Sequence, residues 1–357
     1  MALGEATHGT REFFQLKHRV LEFLVTRMGF SMLSVEGGMP EADRLNDFVL
    51  KGQGDPAKLI KGLYEFRWDT QEVLDLVLWM REFNKSGMGH VQFTGFDMQT
   101  PTLAMEAVRD FLVKTDADYV PAMMRAQQMV LASRNPLAVD RNDVAIEWEK
   151  IVSHLDSLRP RPGIDWAVQN ARIVVQCMQH AAKQRTPMAT AARDASMATN
   201  VKWLLDQSPD AKIVLWAHNF HVMTSPDSMG VGLMGTMLRK MYGDKMVALG
   251  FAFNRGSFQA YSANGRLQDF TVPPALAGSL DATLAASGIP LFALDFRTAP
   301  KSGPVAEWLS AKHPTRNIFA GFYEDLPGSN MFDQVMTETY DGLLFVEKTS
   351  AVRPNKP

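Results

Sequence analysis

The sequence predicts an α/β fold with a mostly parallel sheet flanked by helices. Short apolar runs alternate with longer segments of helical periodicity, which is typical of parallel sheets covered on both faces. The 46% hydrophobic content of the 357 residues can bury a large core. The predicted strands contain Ala2-Leu3, Met32-Leu33-Ser34-Val35, Val91-Gln92-Phe93, Ile213-Val214-Leu215-Trp216, Met246-Val247-Ala248-Leu249, Leu291-Phe292-Ala293-Leu294 and Leu343-Leu344-Phe345-Val346.

Two helices of the predicted core are delimited by local signals. Apolar residues from Arg11 to Met28 follow helical spacing, and Gly29 stands where a C-cap belongs. A second helix should begin after Thr70, a favourable N-cap, and extend toward Asn84. Residues 101–207 show helical stretches without a strand pattern, so we expect a helical insertion there, between the two parts of an α/β core at 1–100 and 208–357.

The composition excludes several classes of partner and location. The chain has 37 basic and 39 acidic side chains, a net charge of −2, so no overall field favours nucleic acid or an anionic membrane. No apolar run approaches the length of a membrane span. The single cysteine, Cys177, excludes an intramolecular disulfide and a cysteine-based zinc cage. These features predict a cytoplasmic protein whose partner is a small molecule.

Ionisable side chains follow one predicted strand after another. In open parallel sheets, ligands bind beyond the carboxyl ends of the strands, so these residues are candidates for a site. A carboxylate in this position can also cap the next helix, and we favour that interpretation for Asp295. A crowd of charged groups at one sheet edge is unfavourable unless function retains it. The candidates are Glu5, His8, Glu36, Asp97 and His218.

Lys17 falls within the apolar stripe of the first helix. The stripe consists of Phe13, Val20, Leu21, Leu24 and Met28. At 100° per residue, Lys17 lies in the middle of the stripe and not on the polar face. Two interpretations remain open: its stem is buried and its ammonium group reaches solvent, or it pairs with Glu5 or Glu36.

A larger pattern of motifs begins with Gly4-Glu5-Ala6-Thr7-His8-Gly9-Thr10-Arg11-Glu12-Phe13, continues through Gly29-Phe30 and Glu36, and covers most of the chain in order. This pattern resembles the erythromycin esterase family. The later segments are Trp68-Asp69-Thr70-Gln71-Glu72, Trp79-Met80-Arg81-Glu82-Phe83-Asn84, Gly95-Phe96-Asp97-Met98-Gln99, Arg193-Asp194 with Met197 and Asn200, and Trp216-Ala217-His218-Asn219-Phe220-His221.

The resemblance implies a hydrolase that opens a macrolide lactone, or cleaves a related ester, with activated water and no covalent acyl-enzyme. It also implies that the helical insertion forms one wall of a cleft. The family's functional glutamates and histidines match Glu5, His8, Glu36, His218 and His221. Lys17 stands where a resistance enzyme of the family has arginine, and keeps the charge without the bidentate fork. The expected substrate-binding residues are Lys17, His221, Asp97, Gln99 and Arg193.

Ester hydrolysis by water needs a base, a donor for the oxyanion and an acid for the leaving alkoxide. We expect His8 to be the base, held neutral by the N-terminus of the following helix, while Glu36 or Glu5 fixes its tautomer. His218 and Lys17 would polarise the carbonyl or protonate the alcohol. The expected partner is a small-molecule ester such as a macrolide, with neither nucleic acid nor membrane.

Several alternatives stay open or are disfavoured by the sequence. The acids and histidines could bind zinc or manganese, as in a metal-dependent hydrolase of another ester or amide, although His218-x-x-His221 lacks the zincin spacing; we expect no cofactor. The chain could also be a binding protein that has lost the chemistry. No serine has the Gly-x-Ser-x-Gly setting of a nucleophile elbow. The residues 230–235 match a dinucleotide fingerprint but follow no strand directly, which predicts a loop.

Overall fold

A computed structural model describes residues 1–63, 66–135, 139–184, 186, 188–226 and 230–355. Its largest sheet has the strand order β3-β2-β4-β1-β5-β10-β7, with β6 paired to β5. The strands are β1 (Ala2–Leu3), β2 (Met32–Gly38), β3 (Gln92–Asp97), β4 (Ile213–Trp216), β5 (Ala248–Tyr261), β6 (Leu267–Val272), β7 (Leu291–Asp295), β8 (His313–Arg316), β9 (Met331–Gln334) and β10 (Gly342–Thr349).

Parallel pairing joins β2 to β4, β4 to β1, β1 to β5 and β5 to β10. The strands β6 and β7 are antiparallel to their neighbours, and β8 and β9 form a separate antiparallel pair. The short strand β1 lies between two longer ones, with Leu3 opposite Trp216 on one side and Leu249 on the other. The loop that follows β1 therefore leaves from the interior of the sheet.

Helices cover the sheet and form most of the segment between β3 and β4. They are α1 (Arg11–Met28), α2 (Met39–Lys51), α3 (Pro56–Lys61), α4 (Gln71–Lys85), α5 (Thr102–Thr115), α6 (Val120–Ala132), α7 (Arg141–Ser157), α8 (Ile164–Ala182), α9 (Met188–Gln207), α10 (Asn219–Val222), α11 (Met234–Tyr242), α12 (Leu280–Ala285), α13 (Pro304–Ser310) and α14 (Met336–Thr339). No helix in the described residues is long and apolar enough to span a bilayer.

The two helices predicted from local signals are confirmed. The first, α1, ends at Met28, where Gly29 has φ 69° and donates its backbone N–H to the carbonyl oxygen of Leu24. The second, α4, begins after Thr70, whose hydroxyl oxygen accepts from the amide of Val73 at 3.3 Å. On α1, the ring of Phe13 packs against Phe251 of β5 with 5.2 Å between centroids.

The chain divides into two compact units. The first comprises Met1–Glu36, Asp43–Thr94 and Lys202–Pro357, and the second comprises Gly37–Ala42 and Gly95–Val201. The second unit is helical beyond the end of β3. Its core includes Trp148, whose indole N–H donates to the carbonyl oxygen of Ala126 at 3.3 Å. The predicted domain boundaries at 100 and 207, and the insertion's role as a cleft wall, stay predictions.

The capping role predicted for Asp295 is confirmed, because its side chain accepts from the amide of Arg297. Since β7 is antiparallel to β10, Asp295 does not lie at the carboxyl edge of the parallel strands. Two other expectations about local structure were wrong in part. The strand predicted from Met246 begins at residue 248 and continues to residue 261. Met234 and Gly235 begin α11 instead of belonging to a loop.

Candidate active site

The loop 4–10, between β1 and α1, is held by backbone hydrogen bonds from distant parts of the first unit. Its carbonyl oxygens accept from amides that follow β4, lie in β5, precede β9 and follow β10. The pairs are Asn219 N to Glu5 O at 2.9 Å, Ile318 N to Ala6 O at 2.6 Å, Gln259 N to Gly9 O at 3.0 Å, and Val352 N to Gly9 O at 3.1 Å. The position of the loop is therefore set by the fold and not by the loop itself.

The Glu5 carboxylate accepts three side-chain hydrogen bonds in a buried setting. Oε1 lies 2.7 Å from His8 Nδ1, while Oε2 lies 2.5 Å from Lys17 Nζ and 2.7 Å from Trp216 Nε1. Lys17 is 1% exposed, and its ammonium group lies 4.5 Å from the centroid of the Trp216 ring. Of the two interpretations of Lys17, the structure shows the buried pair with Glu5.

Burial favours the neutral forms of Glu5 and Lys17, whereas their mutual attraction favours the charged forms. Burial alone would raise the pKa of Glu5, and the charge of Lys17 and the hydrogen bond from His8 outweigh it, so the pKa falls to about 2. Burial lowers the pKa of Lys17 to about 8, because the attraction of Glu5 compensates in part. Glu5 is therefore an anion throughout the neutral range.

The ring of His8 contacts both Glu5 and Arg67. Nδ1 lies 2.7 Å from Glu5 Oε1, and because an ionised carboxylate can only accept, the proton of the neutral ring is on Nδ1 and Nε2 is the basic nitrogen. Arg67 Nη1 lies 3.1 Å from Nε2 and 3.4 Å from Nδ1, so the guanidinium lies against the ring. Burial and then the charge of Arg67 lower the pKa of His8, against the opposing effect of Glu5. The predicted contribution of the helix N-terminus to this lowered pKa stays a prediction.

Glu36, near the end of β2, contacts both Arg67 and the segment that follows β4. Oε2 accepts from the backbone amide of His218 at 2.9 Å, and Oε1 lies 3.4 Å from His221 Nε2. Arg67 Nη2 lies 3.3 Å from Oε1 and donates to the Glu36 carbonyl oxygen at 3.0 Å. Arg67 therefore spans the distance between the imidazole of His8 and the carboxylate of Glu36.

Both ring nitrogens of His218 are engaged by the backbone. Nδ1 accepts from the amide of Phe220 at 3.2 Å, so Nε2 carries the proton, which it donates to the Ile318 carbonyl oxygen at 3.1 Å. Burial and then the charge of His8 hold the pKa of His218 well below its ordinary value. The rings of His8 and His218 lie 5.0 Å apart.

The remaining candidates, Asp97, Gln99 and Arg193, lie together in the second unit. Arg193 Nη2 lies 2.5 Å from Asp97 Oδ2, the oxygen that also accepts from Gln99 Nε2 at 2.9 Å. Asp97 additionally accepts from the amide of Met98 at 2.8 Å, so it caps its own loop. The structure thus gathers the predicted residues into two clusters, one in each unit.

The donor set of the first cluster does not resemble a metal site. In the described ranges, no group of three or more His, Cys, Asp or Glu side chains is arranged to hold a metal ion. The carboxylate oxygens of Glu5 and Glu36 instead face the ammonium of Lys17 and the guanidinium of Arg67.

Sequence reasoning missed Arg67. It lies in a turn between α3 and α4, where no periodicity marks it as buried, yet it is 4% exposed. The available signal was its position directly before Trp68-Asp69, at the start of a segment that carries the family resemblance. Ile318, the acceptor for His218, has no such signal because an apolar residue acts there through its backbone.

Comparisons with known proteins identify the family of this chain. The family model for erythromycin esterase matches residues 25–349. Erythromycin esterase type II of Escherichia coli is 23% identical and aligns with 98% of this chain and 89% of its own length. The putative hydrolase YbfO of Bacillus subtilis (strain 168) is 23% identical over 97% of this chain and 82% of its own.

Solved structures share the fold. A succinoglycan biosynthesis protein superposes with a TM-score of 0.84 and 23% identity over 99% of this chain and 88% of its own. The open conformation of a mutant of the erythromycin esterase EreC gives a TM-score of 0.73 and 16% identity over 99% and 91%. These likenesses confirm the predicted mostly parallel, helix-flanked α/β fold. Since the family model covers most of the residues, the chain belongs to the erythromycin esterase family.

Proposed function

We propose that the protein hydrolyses a carboxylic ester, with His8 Nε2 as the base that activates water. One observation carries the proposal: the buried chain of contacts from Lys17 through Glu5 to His8 Nδ1, which leaves Nε2 as the basic nitrogen. A base oriented by a buried carboxylate is the arrangement by which enzymes activate a weak nucleophile. Family membership independently supports a hydrolase.

In the proposed reaction, a water molecule transfers a proton to His8 Nε2 as its oxygen attacks the ester carbonyl. The tetrahedral oxyanion accepts from Arg67, which is already within hydrogen-bond distance of Nε2. For water to bind there, the guanidinium turns from Nε2 toward the substrate oxygen. Collapse of the intermediate breaks the bond to the alkoxide, which takes the proton from the imidazolium. The products are one carboxylic acid and one alcohol.

The remaining residues of the cluster support His8 in this proposal. Glu5 stabilises the transient imidazolium through Nδ1, and Lys17 acts through Glu5 by keeping it ionised. Because the nitrogens of His218 bind Phe220 and Ile318, we assign His218 to holding the site together. We therefore assign polarisation of the carbonyl to Arg67 and protonation of the alcohol to His8. The sequence had suggested His218 and Lys17 for these roles.

A macrolide lactone is the first substrate to test, since two relatives are named erythromycin esterases. The assay incubates the protein with macrolides and simple esters and detects, by mass spectrometry, addition of one water. His8→Ala should lower the rate at least about a hundredfold. His90→Ala, an exposed histidine of the same unit, is the matched control and should leave the rate unchanged. If His8→Ala stays folded and keeps its rate within a few-fold, another residue is the base.

We further propose that the water is activated without a metal ion, because cations of the protein already face the acidic side chains. Hydrolysis should then survive exhaustive chelation. Loss of activity on chelation and recovery with zinc or manganese would contradict this part of the proposal. Absence of hydrolysis for every ester would favour the binding-protein alternative.

A further inference from the structure

A cavity of about 770 Å³ lies in the first unit beside the histidine cluster. Its walls include the rings of Phe220, Phe319 and Phe332 together with Met223 and Met331. The Phe319 ring lies 5.6 Å from both Phe220 and Phe332, so the three rings form a continuous apolar surface. A cavity of this size and lining is typical of a small-molecule site.

The apolar surface begins next to His218, which lies between it and the ring of His8. The Phe319 ring lies 4.8 Å from the ring of His218, which in turn lies 5.0 Å from the ring of His8. Phe220 follows His218 by two residues and directly precedes His221 in the sequence. With its ester at His8, as the proposed function has it, a substrate would have to extend past His218 for its apolar part to reach these rings.

The cavity also has a buried hydrogen-bond donor without a partner. Asn317 lines it and is 3% exposed, and its Nδ2 has no acceptor in the described part of the chain. The assignment of this atom follows from the network: Asn219 Oδ1 accepts from the Phe251 amide, so Asn219 Nδ2 is the group that donates to Asn317 Oδ1 at 2.8 Å. A buried, unpaired amide N–H is unfavourable, and a ligand oxygen would satisfy it.

Charged residues in the cavity lining are exposed and of both signs. Lys312 is basic, and Asp333 and Glu338 are acidic, so the lining does not favour an anion, and solvent screens all three charges. We propose that the cavity binds the neutral, bulky apolar group of an ester substrate, and that an ether or carbonyl oxygen within this group accepts from Asn317 Nδ2. This inference rests on the proposed function for the position of the ester.

A pair of esters that differ in one atom tests the class of ligand. We expect 4-nitrophenyl 4-phenoxybutyrate, which has an ether oxygen, to exceed 4-nitrophenyl 5-phenylpentanoate in kcat/KM by about fivefold to tenfold. Asn317→Asp, which keeps the acceptor for Asn219 and removes the donor, should abolish this preference. Phe332→Ala should lower kcat/KM for both esters by about tenfold without affecting 4-nitrophenyl acetate. Phe292→Ala, which removes a ring that packs on Phe345 instead, is the matched control.

Binding measured without turnover separates the two proposals. The probe is the amide 4-phenoxybutyramide, titrated calorimetrically into the full chain carrying His8→Ala. Binding that weakens about tenfold with Phe332→Ala but not with Phe292→Ala would support the cavity, even if no ester is hydrolysed. Binding that responds to neither Phe332→Ala nor Asn317→Asp would overturn the inference, even if His8-dependent hydrolysis is observed.

Discussion

The buried pair of Glu5 and Lys17 allows a quantitative prediction. The fall of the Glu5 pKa from 4.5 to about 2 stabilises the fold by about 3 kcal/mol at neutral pH. The fall of the Lys17 pKa from 10.5 to about 8 destabilises it by a similar amount, about 3 kcal/mol. The two contributions nearly cancel. The pair should therefore add little net stability, whereas loss of either member leaves an uncompensated buried charge.

We expect Lys17→Met and Glu5→Gln each to lower the free energy of unfolding by about 3 to 5 kcal/mol. The double variant should lose about 3 kcal/mol less than the sum of the single losses, because it buries neither charge. Urea unfolding at pH 7, followed by tryptophan fluorescence, measures all four proteins. The exposed pair Lys51 and Asp47, 2.7 Å apart, serves as control and should show no measurable coupling. Additivity of the Glu5 and Lys17 losses within about 0.5 kcal/mol would refute the reasoning.

The same pair predicts two pH windows in the stability of the wild type. Since the pKa of Glu5 is depressed in the folded state, its contribution is present above pH 4.5 and disappears as the pH falls toward about 2. The depressed pKa of Lys17 destabilises the folded state at neutral pH. This penalty disappears as the pH increases from about 8 to 10.5, so stability rises over that range as well. Lys17→Met should lack the alkaline rise.

Three further predictions concern other residues. Arg67→Met should move the acidic limb of the kcat/KM profile to higher pH, because the Arg67 charge helps burial to lower the pKa of His8; an unmoved limb would contradict this. Burial raises the pKa of the Cys177 thiol to about 12, so a disulfide reagent at pH 8 should modify it no faster than the protein unfolds. Gly235→Ala would place a methyl group 2.4 Å from carbonyl oxygens at the end of α10, and should destabilise by at least about 1 to 3 kcal/mol in thermal unfolding. Gly232→Ala, with its nearest atom at 3.9 Å, should be nearly neutral.

Local spacing accounts for the parts of the structure that could be predicted. The stripe of α1 and its C-cap are encoded within one segment, and the position of Lys17 on that stripe left a buried partner as one of two interpretations. The ends of β1 and β2 placed Glu5 and Glu36 correctly because parallel strands bring their carboxyl ends to one edge. For such residues, the helical periodicity or the position of a strand end is sufficient to predict where they lie.

Other features depend on contacts between distant segments, which no local pattern encodes. The direction of β7 is set by its pairing with β10, about fifty residues later, so Asp295 could not be assigned to an edge in advance. Arg67 is buried by the groups around it, His8 and Glu36, although its own neighbours in sequence form a turn. Asn317 was not predicted for the same reason: its partner Asn219 is far away in the chain.

The backbone bonds that hold the loop 4–10 have a consequence for how the protein inactivates. The amides that donate to this loop belong to segments far apart in sequence, so their protons can exchange with deuterium only when much of the first unit opens. The imidazole of His8 thus shares the stability of the sheet, unlike residues on lids that open locally around a ligand. Heat or denaturant should abolish turnover and melt the sheet in a single coincident transition.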